Sequence, residues 1–103
     1  MSAIKYDKLV RDRIPEIIKE KGKECKFRIA STEEYREKLV EKLLEEVLEF
    51  IETPCVEELA DIQEVVEALM NEHKWESLRA TTQFKKITRG SFRDKIILEE
   101  VSG

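Results

Sequence analysis

Residues 31–73 read STEEYREKLVEKLLEEVLEFIETPCVEELADIQEVVEALMNEH. On both sides of Thr53-Pro54, apolar residues recur at intervals of three and four, the spacing of an amphipathic helix. Ser31-x-x-Glu34 has capping-box spacing, so the first long helix is expected to open at Ser31 and run to Ile51 or Glu52. Thr53 is the expected N-cap of a second long helix, with Pro54 at its first position and His73 near its end. A connection this short makes the two helices antiparallel neighbours.

Two acidic motifs lie inside this stretch, EEVLE at 45–49 and ELAD at 58–61. Each sets two carboxylates three residues apart, Glu46 with Glu49 and Glu58 with Asp61. Residues i and i+3 share a helix face. At about 100° per residue with Leu39 at zero, the apolar side chains from Phe50 to Leu48 fan out from roughly 20° to 180°. Tyr35 falls near about 320°, Glu46 near about 340°, Glu49 near about 280° and Glu45 near about 240°. Glu46 therefore lies inside the apolar sector, Glu49 on its border and Glu45 outside it. With Leu59 at zero in the second helix, Glu58 falls near about 260°, among Val65, Leu69 and Ile62, and Asp61 near about 200°, on the border. Glu57, Glu64 and Glu67 are expected to face water.

Most glutamates of so acidic a helix form a solvated face. Glu46 and Glu58 do not fit that description. A carboxylate among apolar side chains loses its hydration unless it pairs with Lys or Arg, takes a proton or binds a metal. Two of them on adjacent helices, each flanked by a second acid, favour the metal. Mg²⁺ takes oxygen ligands and in enzymes usually holds substrate phosphates as well. The apolar sector of the first helix spans about 220°, whereas one packing face needs about 100°. It is expected to be covered on two sides, and a dimer forming a four-helix bundle is the preferred arrangement.

The remaining sequence is short. The chain of 103 residues suits a single domain, 1–103, with a modest core. Its net charge is −4 with 41% charged residues, a mixed-sign surface that argues against nucleic-acid binding. Cys25 and Cys55 carry no CxxC spacing and read as free thiols. No apolar run reaches membrane-spanning length and no signal segment is evident, so a cytoplasmic protein without membrane contact is expected. Residues 12–21 read as a short helix with Pro15 in its first turn, and 76–89 as another that ends before Gly90. Residues 24–30 and 94–101 read as two strands that could pair as a small β appendage on a mostly all-α body.

With EExxE followed by ExxD on paired helices, the chain resembles the MazG-like all-α nucleoside triphosphate pyrophosphohydrolases. YDKLVRDRIPEII at the start and KKITRGSFRDKIILEEV at the end resemble a compact branch labelled phosphoribosyl-ATP pyrophosphohydrolase-like. The resemblance implies a dimer or higher homo-oligomer that hydrolyses a nucleoside triphosphate between its α- and β-phosphates with Mg²⁺, or Mn²⁺ in its place. It implies Glu46, Glu49, Glu58 and Asp61 as metal ligands. Two departures stand out. Eight residues separate Glu49 from Glu58, fewer than is usual in the family, and Lys85-Lys86-Ile87-Thr88-Arg89 lacks the Asn that many members carry after the second motif.

The chemistry needs a water aligned on phosphorus and a carboxylate to take its proton, for which Glu46 and Glu49 are the catalytic candidates. Phosphate oxygens not held by metal need Arg or Lys. Lys8, Arg11 and Arg13 before the first helix, and Lys86, Arg89 and Arg93 near the end, are the candidate substrate-binding residues, with Lys85 and Lys95 beside them. Nucleotide clean-up is the expected role. The alternatives are a non-catalytic nucleotide-sensing or partner-binding dimer, a structural dimer with charge-paired acids, and phosphoribosyl-ATP hydrolysis in histidine biosynthesis, the last resting on the family label alone.

Overall fold

The computed structural model describes residues 3–103. They form four helices, α1 (Ile14–Glu20), α2 (Thr32–Glu52), α3 (Val56–His73) and α4 (Leu78–Arg89). α2 begins where its cap directs: Ser31 is extended, and its hydroxyl accepts from the Glu34 N–H at 3.2 Å. The reciprocal half of the capping box is replaced, because the Glu34 carboxylate is gripped by both terminal nitrogens of Arg28.

The turn between the long helices is longer than the sequence reading. Thr53 closes α2, its N–H donating to the Glu49 carbonyl at 3.0 Å. Cys55, without a side-chain cap bond, is the N-cap of α3, and Pro54 stands before the helix rather than at its first position. Thr53 cannot finish one helix and cap the next, so the chain uses Pro54 and Cys55 to reverse. α3 ends at His73 in a left-handed Lys74 (φ 56°), with the Trp75 N–H donating back to the Met70 carbonyl at 2.9 Å. This is the long bond of a Schellman ending. α4 stops before Gly90, whose φ of 83° suits glycine.

α2 and α3 make the main helix–helix contact of the chain. They run antiparallel. Arg36, early in α2, donates to Glu72, late in α3, at 3.1 Å. Glu46, in the second half of α2, meets Glu58 and Asp61 in the first half of α3. The seam is narrow, and Leu39, Val65 and Glu46 are the fully buried residues among those described.

The far side of α2 is open. Val40, Leu44, Leu48 and Ile51 remain between 55% and 66% exposed, so the wide apolar sector is covered on one side only within a single chain. The radius of gyration is 18.7 Å, against about 13 Å for a compact chain of this length.

The expected β appendage is not present, and among the described residues there is no strand. Residues 24–30 and 95–101 run without regular structure, leaving Phe27, Ile29, Ile96, Ile97 and Leu98 exposed. A lone two-stranded ribbon is marginal in water unless one face packs on other structure, and these side chains find no such surface in the single chain. No helix is long and apolar enough to cross a membrane.

Leu39 is 2% exposed and lies at the centre of the seam. Leu39→Ala should cost about 2–4 kcal/mol, read as a lower midpoint in urea or thermal unfolding. An unchanged midpoint would mean that the α2–α3 seam is not the core of the folded protein.

Candidate metal centre

The site grows from the second turn-pair of α2 and the first of α3. Glu46 is 6% exposed, and it is the buried charged residue among those described. Its Oε1 lies 3.1 Å from the Lys42 ammonium, one helical turn earlier. Its Oε2 is buried with no hydrogen-bond partner. Across the seam, Glu58 also buries an Oε2 without a partner. One carboxylate oxygen each from Glu46, Glu58 and Asp61 fall within 4.8 Å of one another.

Those orphaned oxygens are the test of whether a cation fits. Each leaves a buried acceptor unsatisfied, which costs about 1–3 kcal/mol. Mg²⁺ holds its oxygen ligands at about 2.0–2.1 Å, so carboxylate oxygens spread over up to 4.8 Å must move inward to meet one ion. The donors are hard carboxylate oxygens, the type Mg²⁺ and Mn²⁺ select. Three carboxylates leave positions for water and phosphate oxygens. The residues present fit the ion.

The electrostatics follow from burial. Loss of water pushes the Glu46 carboxyl above the ordinary glutamate range. Lys42 opposes that shift and the neighbouring Glu49 adds to it. Glu49 itself is exposed at the edge of the site, outside the close trio. Burial acts to lower Lys42, but Glu45 and Glu46 together hold it above the usual lysine value.

Glu45 does not face water as its angle implied. It is half-buried between Lys8 at 2.7 Å and Lys42 at 3.0 Å. Burial alone would raise its carboxyl, yet the two ammonium groups hold it below the ordinary range. The cause is a segment that the helical wheel ignores. Residues 6–13 cross over the acidic end of the seam, with Lys38 donating to the Asp7 carbonyl at 2.9 Å. Arg11 forks across α3, one nitrogen 2.6 Å from Asp61 and the other 2.5 Å from Glu64. Glu57 and Glu67 are exposed as predicted, whereas the exposed Glu64 is engaged by Arg11.

The cationic candidates are thus dispersed. Lys8 and Arg11 reach the acids, while Arg13 pairs locally with Glu16 at 3.0 Å. Lys86 and Arg89 stand on α4, every residue of which is exposed, and Arg93 follows it. Among the described residues, neither these three nor Lys85 and Lys95 form an ion pair with a carboxylate. A cleft of about 190 Å³ lies beside the crossing segment, lined by Tyr6, Lys8, Lys38 and Glu45. Small-molecule sites usually occupy about 300–1,000 Å³, so this cleft does not hold a nucleotide within one chain. Trp75 is stacked on His73, ring centroids 4.2 Å apart.

Lys42 is the participant that the motif reading missed. Its signal was local, since it stands four residues before Glu46 and three before Glu45. The Arg11 contacts had no such signal, because Asp61 lies 50 residues further along the chain. Comparison with protein-family models, curated proteins and solved structures gives no match for this chain.

A carboxyl raised in the folded state carries an extra proton there, so its ionisation weakens the fold as pH rises from the ordinary glutamate value through the raised one. Glu46→Gln should therefore raise the melting temperature of the metal-free protein at pH 7. The difference should narrow as pH falls to about 4. Mg²⁺ should raise the melting temperature of the parent chain and leave Glu46→Gln unmoved. Scanning calorimetry across pH, with and without Mg²⁺, tests both statements.

Proposed function

We propose that this chain is the subunit of a Mg²⁺-dependent nucleoside triphosphate pyrophosphohydrolase that clears unwanted nucleotides, with Mn²⁺ able to replace Mg²⁺. The observation that carries this reading is the buried, partnerless Oε2 of Glu46 set beside Glu58 and Asp61 in the α2–α3 seam. The resemblance of EEVLE and ELAD to the MazG-like motifs supports the same chemistry.

Glu46, Glu58 and Asp61 would hold the ion, with Glu49 at the rim. Bound Mg²⁺ supplies charge neutralisation along the triphosphate and polarises the α-phosphorus. A water attacks that phosphorus, the bond to the bridging α–β oxygen breaks, and a monophosphate and pyrophosphate leave. The water's proton goes to Glu46 or Glu49. In the ion-free chain, burial raises the proton affinity of Glu46.

The exposed stripe of Val40, Leu44, Leu48 and Ile51 supports a homodimer in which two α2–α3 pairs form a four-helix bundle. Leu44→Glu combined with Leu48→Glu should convert the assembly to monomers in light scattering. A parent chain that is already monomeric at micromolar concentration would remove this part of the proposal.

The Lys42–Glu46 contact supports a second reading, in which the inward acids are charge-paired parts of a helical binding module without turnover. Glu58 speaks against it, because no Lys or Arg pairs with that residue among the described contacts. Pyrophosphate release across a panel of ribo- and deoxyribonucleoside triphosphates separates the two. Turnover of at least one triphosphate is expected, falling by roughly 100-fold or more in Glu58→Gln. A silent panel with Mg²⁺ and with Mn²⁺ would leave the binding module.

A further inference from the structure

The segment over the acidic end of the seam is fastened by a set of charged contacts. Lys8 holds Glu45, Lys38 holds the Asp7 carbonyl, and Arg11 holds Asp61 and Glu64. Of its apolar side chains Leu9 is half-buried and Val10 37% exposed, while Ile4 and Tyr6 are 74% and 67% exposed. Asp7, in the left-handed region at φ 44°, lies where the segment turns onto the helices.

Arg11 stands at the point of conflict. Its Nη2 is 2.6 Å from Asp61, which is also one of the three carboxylates that converge in the seam. A divalent cation among those carboxylates repels the guanidinium and competes for the same ligand. The side chain is about half exposed, so it is free to leave Asp61 while the segment stays anchored through Lys8 and Lys38. The fork that now spans two carboxylates on α3 is also suited to polyphosphate oxygens.

We propose that Arg11 is an exchangeable counterion of the metal centre. It neutralises Asp61 while the centre is empty and passes to the polyphosphate chain of the substrate when the ion arrives. This rests on the metal-centre reading above, and it makes residues 6–13 the element that couples ion binding to phosphate binding.

The test uses Mn²⁺ binding, followed by electron paramagnetic resonance, and inorganic triphosphate as a probe that carries no base. In the full chain, Arg11→Gln should bind Mn²⁺ alone about ten-fold more tightly, because a competing cation is gone. It should bind Mn²⁺-triphosphate at least about ten-fold more weakly than the parent chain. Arg11→Lys keeps the charge without the fork, so it should bind Mn²⁺ like the parent yet lose triphosphate affinity. Arg36→Gln, which removes only the Glu72 pair at the other end of the seam, should change neither quantity. Unchanged or weaker Mn²⁺ binding in Arg11→Gln, with a parent chain that binds Mn²⁺, would overturn the exchange and leave the metal centre standing. A parent chain that binds no Mn²⁺ would overturn both. Melting curves of each variant separate a misfolded chain from a changed site, and Arg11→Lys decides the question if Arg11→Gln does not fold.

Discussion

A carboxylate that enters the seam between two helices gives up water on both flanks, and the rest of this structure is arranged around one that does so. Glu46, at 6% exposed, falls between the two core residues Leu39 at 2% and Val65 at 8%. Its charge cannot be left alone in a seam of that kind. Lys42 answers one of its oxygens from the preceding turn. The other oxygen has no partner, and the nearby Glu58 and Asp61 on α3 deepen the negative charge instead of relieving it. The N-terminal segment then contributes Lys8 to Glu45 beside the centre and Arg11 to Asp61 within it, neither reaching Glu46 itself.

This arrangement separates two kinds of compensation. Lys8 and Arg11 hold outer oxygens through exposed or half-exposed pairs, which add little stability individually. Lys42, itself mostly buried, holds one oxygen of Glu46 and leaves the other without a partner. A cation there would satisfy the buried acceptors that the protein's own donors do not reach. That division between held and orphaned oxygens is the physical basis for the proposed hydrolase, and it also explains why a cationic segment lies beside an acidic site.

The same helix leaves a second constraint open. α2 has more apolar surface than α3 can cover, and α4 and the segments around it leave their large apolar side chains in water. Exposed apolar patches on this scale mark association surfaces. A dimeric bundle would bury the outer stripe of α2, and it would give residues 24–30 and 95–101 a surface to pack on that the single chain lacks.

Much of the site was legible before any coordinates. The 3.6-residue period located both long helices, and the same angles singled out Glu46 and Glu58 from a dozen other acids, because helical geometry converts spacing directly into facing. Ser31 as a cap and Gly90 as a stop were legible for the same local reason. Where two local signals competed, as at Thr53, the sequence could not say which helix would use the residue. The strands at 24–30 and 94–101 were misjudged because alternation describes what a segment could bury, and burial needs a surface that lies elsewhere. Only the tertiary structure brought Lys8 to Glu45 and Arg11 to Asp61, across 37 and 50 residues of chain. A helix face is a property of neighbours in sequence, whereas the partner of a charge is decided by where the chain returns in space.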